Sequence, residues 1–227
     1  MIKKPVKNIY KIASLLRRKY RDYAHLNRKN PLEELFFILL SIRSTEKVYL
    51  KIFRAFRKKY PRFSDIQKAP VSEIQKIIQP GGKQHNKSKA IKIIITKIIN
   101  RFNKPTLAPL KYFSDKECEN FLLSLPYLGK KVARCVMLYS LNRFVFPVDS
   151  HCWRVSCRLG WIRTKQKRRG PSPVEMDKLQ ALIPPQLRYS LHVNMISFGR
   201  EICTPLNPKC HDCFIEKYCK KKGRKYN

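Results

Sequence analysis

Apolar positions recur at three- and four-residue intervals along most of this chain. Ile9, Ile12, Leu16 and Tyr20 fall on one face of a first helix. Ile91, Ile94, Ile95, Ile98 and Phe102 fall on one face of a helix opening near Lys87. Leu35 to Leu40 is apolar on every side, as a central buried helix is. Glu119, Leu122 and Leu123 belong to a helix that stops before Pro126. Leu191, Met195 and Phe198 share a face of a late helix, for which Gly199 is the expected C-terminal cap. The only strand-like run, Phe144-Val145-Phe146, is cut short by Pro147. Turn residues at 79–82, 170–173 and 184–185 separate the segments. The pattern predicts an all-α protein with short connections.

Charge adds a partner to that picture. Fifty Lys and Arg against fifteen Asp and Glu give a formal net charge of +35, far more one-sided than solubility requires. Such an excess suits a polyanion, whose counterions are released as its phosphates are neutralised. A membrane surface also attracts positive charge, but no stretch approaches the roughly 20 apolar residues of a spanning helix. The N-terminus lacks the apolar core of a secretory signal and only weakly resembles a transit peptide. The expectation is a soluble intracellular protein. The basic stretch 165–169 is expected as a solvated loop, and 220–227 as a frayed basic tail.

Cysteine placement changes the picture again. Cys203, Cys210, Cys213 and Cys219 crowd into one segment, while Cys118, Cys135, Cys152 and Cys157 are scattered through apolar or helical stretches. In a chain without an export signal this reads as a metal site plus buried thiols. The spacing C-x6-C-x2-C-x5-C has a single C-x2-C knuckle, where a structural zinc usually takes two. It suits a [4Fe–4S] cubane better, with zinc the alternative. Lys209 and Lys217 make the same loop a candidate phosphate-contacting surface.

Two further constellations carry possible chemistry. Leu125-Pro-Tyr-Leu-Gly-Lys-Lys131 lies between helical segments, and a turn at Gly129 would aim backbone N–H groups at an anion. Lys131, just inside the next helix, would sit in a positive field from Lys130, Arg134 and the helix terminus. Such a field frees an amine for attack, although by themselves Lys130 and Lys131 read more readily as phosphate-binding charges. In Pro147-Val-Asp-Ser-His151, Asp149 is placed as a helix N-cap, and a carboxylate there can also accept a proton or stabilise a cationic sugar.

These three motifs, in this order and with Asp149 eighteen residues after Lys131, resemble the endonuclease III family of helix-hairpin-helix DNA glycosylases. The resemblance extends to Pro31–Ser41 and His85–Ala90. Phe146–Asp149, Arg158-Leu-Gly-Trp161 and Met195–Gly199 are similar to the glycosylase domain of plant 5-methylcytosine demethylases. The family implies a six-helix bundle over 30–143, and an iron–sulfur domain built from 1–29 and 144–227. Cys203, Cys210, Cys213 and Cys219 would hold its [4Fe–4S] cluster. It implies a monomer on double-stranded DNA carrying a damaged or modified base, with the target nucleotide flipped out. Lys131 would be the nucleophile at C1′ and Asp149 its catalytic carboxylate. The lysine points to a bifunctional glycosylase and AP lyase, because members that only remove the base carry another residue there. Gly129, Lys130, Arg134 and Lys209 are expected DNA contacts. Arg43 stands where the family has a gap-filling Gln, and can also hydrogen-bond a widowed G. Tyr127 departs from the family, which usually has Gly there, and Tyr adopts positive φ with difficulty.

Three other classes remain. A non-catalytic DNA-binding iron–sulfur protein leaves Lys131 and Asp149 unexplained. An electron carrier leaves the charge and the other motifs unexplained. A defence glycosylase acting on modified foreign DNA shares every motif, and sequence does not separate it from repair, nor oxidised pyrimidines from 5-methylcytosine.

Overall fold

A run of apolar residues closed at its start by a polar side chain makes the central helix. Asn30 Oδ1 accepts the N–H groups of Leu32 and Glu33 at 3.0 and 3.1 Å, and Pro31 opens the first turn. Leu32 and Glu34 to Leu40 are all buried, so this segment packs on every side, as expected.

The computed structural model describes residues 6–23, 26–163 and 170–220. The expected basic loop at 165–169 and all of the tail beyond Lys220 lie outside them. The α-helices of the described residues are α1 (Ile9–Tyr20), α2 (Pro31–Ser41), α3 (Glu46–Lys59), α4 (Phe63–Lys68), α5 (Val71–Ile78), α6 (Gln84–Phe102), α7 (Asp115–Ser124), α8 (Lys130–Ser140), α9 (Ser150–Arg158), α10 (Pro173–Leu182) and α11 (Arg188–Glu201). Among these residues there is no strand. Phe144–Phe146 forms no ladder, its Phe146 N–H bonding the Gln180 side chain at 2.8 Å instead. The protein is all-α.

Two compact units divide the chain. One comprises Asn27–Arg143. There α2 packs against α8 and α3, and Phe36 and Phe37 meet Phe56, Tyr49 and Phe53 edge-on. The apolar face of α6 is fully buried at Ile91, Ile94, Ile95 and Ile98. Three lysines of α6 each reach the C-terminal carbonyls of a different helix. Lys87 bonds Leu40 and Ile42 at the end of α2, Lys92 bonds Gln67 and Ala69 at the end of α4, and Lys97 bonds Ser124 at the end of α7. Cations there satisfy orphan acceptors and complement the helix dipole.

The other unit comprises Met1–Leu26 and Phe144–Asn227. Here α1 packs on α11, and α11 on α9, around Ile9, Ile12, Leu16, Trp153, Met195 and Phe198. Gly199 does not cap the late helix as the sequence suggested. It lies inside α11, which runs on to Glu201. A Cβ at Gly199 would come within 2.8 Å of His151 Cβ, so the glycine is needed for close approach of α9, not for a turn.

Candidate active site and cysteine cluster

The α7–α8 hairpin begins with Leu125 and Leu128 buried beneath it, while Tyr127 stands exposed between them. Tyr127 takes φ +63°, the left-handed region that the sequence reading considered hard for Tyr. The hairpin therefore keeps its sharp turn, and a non-glycine residue carries strain of order 1–2 kcal/mol. Gly129, at φ −98°, needs no such freedom, but nothing lies within 4 Å of where its Cβ would be. A partner's backbone can approach it closely. Lys130 and Lys131 are the first two residues of α8, whose start has no side-chain cap, and both are half-buried.

Arg134 corrects the sequence reading. Its side chain is 2% exposed and its Nε donates to Glu119 Oε1 at 2.6 Å, so it cannot reach a phosphate from there. Position 134 lies one turn past the exposed opening of α8, on the face turned inward to α7. Its charge is offset by Glu119, which weakens its expected part in the field around Lys131.

Glu34, which the sequence reading passed over, is fully buried in α2. Its Oε2 accepts the Arg28 N–H at 2.6 Å, and its Oε1 accepts no hydrogen bond among the described residues. Burial pushes its carboxyl up to about 7, against the pull of the Arg28 N–H bond and of the charges on Lys131 and Arg28. Arg43, in the turn between α2 and α3, is exposed and held at φ +57°. Lys87 Nζ reaches the carbonyl of the residue just before it, Ile42, at 2.8 Å. A lysine on the otherwise apolar face 87–91–94–98 is the signal that should have drawn notice.

In the second unit Asp149 is the N-cap of α9, with Oδ1 accepting the Cys152 N–H at 2.8 Å. The cap fixes the direction of the carboxylate, so the structural duty also orients the group. Beside it, burial lowers the pKa of His151, opposed by the Asp149 charge. Arg154 ties α9 to α11 and the segment after it, donating to the carbonyls of Gly199 and Cys203 at 2.9 Å.

Cys203, Cys210, Cys213 and Cys219 line one cavity with Val155, Leu159, Phe198, Ile202 and Ile215. Arg158 is buried beside it and donates to Cys203 Sγ at 3.0 Å and to the Thr204 and Pro205 carbonyls at 2.7 and 3.0 Å. Burial pushes the Cys213 thiol up to about 11, so a thiolate there needs a metal cation to hold it. Among the described residues no three His, Cys, Asp or Glu side chains converge closely enough for a single ion. A lone zinc needs its thiolates at one point, whereas a cubane takes one at each of its four irons. An apolar, arginine-buttressed cavity with four thiols around it fits the cluster. Lys209 and Lys217 are exposed on this segment. Of the scattered cysteines, Cys118, Cys135 and Cys152 are buried and Cys157 is half-buried.

A helical chain with an open hairpin turn, a basic helix start and a cysteine-lined cavity belongs to a recognisable class. Residues 38–181 match the family described as HhH-GPD superfamily base excision DNA repair protein, and this chain belongs to it. Residues 203–219, which begin and end on cysteines, match the iron–sulfur binding domain of endonuclease III. It is 29% identical to the Endonuclease III of Thermotoga maritima over 194 residues, covering 84% of this chain and 83% of that protein. It is 30% identical over 173 residues to Protein ROS1A of Oryza sativa subsp. japonica, covering 68% of this chain but only 9% of that much longer protein. A trapped endonuclease III–DNA covalent intermediate superposes with a TM-score of 0.81 at 26% identity, covering 95% of this chain and 96% of that one. The protein is a base excision DNA glycosylase that binds DNA and carries a [4Fe–4S] cluster. Among the described residues no helix is long and apolar enough to cross a membrane.

Proposed function

We propose that the protein is a bifunctional glycosylase and AP lyase that removes a damaged or modified pyrimidine from duplex DNA, with Lys131 as nucleophile and Asp149 as catalytic carboxylate. The observation that carries this reading is a half-buried lysine at the second residue of α8, directly after a turn whose Gly129 leaves room for a DNA backbone. A trapped covalent DNA intermediate of the similar endonuclease III supports covalent chemistry in this fold. The target nucleotide is flipped out, because C1′ is shielded in the stacked duplex. The Lys131 amine bonds to C1′ as the C1′–N bond breaks, and the base leaves with the proton that the amine gives up, relayed by Asp149. Asp149 accepts the amine proton and stabilises the cationic sugar. The sugar opens to a Schiff base, and loss of a C2′ proton expels the 3′ phosphate. Gly129, Lys130 and Lys209 contact the DNA backbone, and Arg43 fills the gap and favours G opposite the target. Cys203, Cys210, Cys213 and Cys219 hold the cluster, which when bound cross-links the end of the chain. The enzyme works as a monomer.

Borohydride trapping tests the reading on duplexes carrying an abasic site, thymine glycol, 5-methylcytosine or a G·T mismatch. Wild type should give a covalent adduct, and Lys131→Ala none; the duplex trapped fastest identifies the substrate. No adduct on any duplex from cluster-loaded wild type would leave a DNA-binding protein without lyase chemistry.

A further inference from the structure

The Arg43 turn is held by an unusual group. Lys87 is 5% exposed, and its ammonium donates to three carbonyls: Leu40 at 3.1 Å, Ile42 at 2.8 Å and Gly81 at 3.2 Å. An ammonium has three N–H donors, so all are engaged, and no carboxylate is among its partners. Two of the acceptors flank the end of α2, and one of them belongs to the peptide that leads directly into Arg43. The third comes from the 3-10 turn Gln79–Gly81. That turn is pressed against α3, since a Cβ on Gly81 would meet Ile52 Cδ1 at 2.7 Å. The Ser44 N–H closes the Arg43 turn on the Ser41 carbonyl at 3.1 Å.

Arg43 itself is exposed, and its φ of +57° is disfavoured for an arginine. An outlying backbone angle persists only where its surroundings over-determine it. Here the determinant is the buried ammonium, which fixes the carbonyl before Arg43 and ties the end of α2 to the 79–81 turn.

We propose that Lys87 is a positioning residue that acts through Arg43: it sets the backbone from which Arg43 reads the base opposite the excised nucleotide. This rests on the gap-filling role proposed above for Arg43. Lys87 is buried with its ammonium turned onto three carbonyls, so its loss should change discrimination and leave general DNA affinity in place.

The test compares wild type, Arg43→Ala, Lys87→Met, Lys87→Arg and the Arg43→Ala/Lys87→Met double variant, all with the cluster loaded. Single-turnover excision is measured on duplexes with G or A opposite the lesion that wild type cleaves fastest. Affinity for undamaged duplex is measured in parallel. Arg43→Ala should lose at least about fivefold of the G-over-A preference, the lower range for one good base contact. Lys87→Met should lose a comparable factor with undamaged-DNA affinity nearly unchanged, and the double variant should be no worse than Arg43→Ala. A Lys87→Met loss that multiplies with that of Arg43→Ala would overturn the coupling. So would a Lys87→Met enzyme that keeps its preference while Arg43→Ala loses it. Unchanged preference in Arg43→Ala would instead sink the underlying reading of Arg43. If Lys87→Met does not fold, Lys87→Arg decides. Its planar fork cannot serve three carbonyls as an ammonium does, so a folded Lys87→Arg enzyme with full preference makes the residue structural only.

Discussion

Raising the pH from 5 to 8 should weaken the protein through Glu34. Burial, outweighing the bond from Arg28 N–H and the pull of Lys131 and Arg28, lifts its carboxyl from an ordinary 4.5 to about 7. The folded-state value lies above the unfolded one, so between these limits the folded chain keeps a proton that the unfolded chain has lost. The group's contribution to stability is complete below about 4.5 and disappears as the pH passes 7. At 1.36 kcal/mol per pH unit the rise is worth about 3 kcal/mol. For a chain of this size that is roughly 6–12 °C in Tm. His151 acts in the opposite direction, because burial lowers its pKa and its contribution is lost on acidification below 6.5. A variant is therefore needed to isolate Glu34. Urea unfolding of wild type and Glu34→Gln, at matched cluster loading and followed by far-UV circular dichroism, supplies it. Wild type should lose about 3 kcal/mol relative to Glu34→Gln between pH 5 and 8. Parallel stability curves across that window would mean that Glu34 is charged throughout, and would refute the reasoning from burial.

Tyr127→Gly should raise stability by about 1 kcal/mol, the strain at φ +63° less the extra freedom of an unfolded glycine. A loss of similar size in thermal denaturation would show that the ring is held by packing. Arg134→Met should destabilise by about 3 kcal/mol, because Glu119 is stranded beside the buried site. The same variant should leave the salt dependence of DNA binding unchanged, and a slope smaller by about 1 would put Arg134 on a phosphate after all.

What was legible in the sequence depended on whether one residue type could do only one thing. Four closely spaced cysteines have few uses, and apolar residues at helical spacing have one. The cavity around Cys203–Cys219 and the buried faces of α2 and α6 were accordingly readable in advance. Gly199 misled because glycine serves both helix ends and close helix crossings, and only the approach of His151 separates the two. Arg134 misled because a cation near a DNA-facing turn can point either way around its helix, and Glu119, fifteen residues earlier, decides the direction. Glu34 and Lys87 were overlooked for a shared reason. Each is a charged residue in an apolar pattern, and the groups that make it tolerable are backbone atoms, which a sequence does not display.

Cations on helix ends bear on how so basic a protein holds together with fifteen acids to fifty bases. Lys87, Lys92 and Lys97 sit on the ends of α2, α4 and α7, Arg143 on the carbonyls of Lys111 and Phe113, and Arg188 on those of Gln180 and Ile183. Peptide dipoles here do what carboxylates do elsewhere: they supply the negative pole of an internal pairing while adding no charge of their own. Lys87, Lys92 and Lys97 are held this way by carbonyls, and the overall charge stays positive. A solvent-exposed carboxylate would repel a phosphate; a carbonyl folded into a helix end does not. At these helix ends scaffold and substrate draw on separate stocks of negative charge, the one neutral and internal, the other brought by DNA.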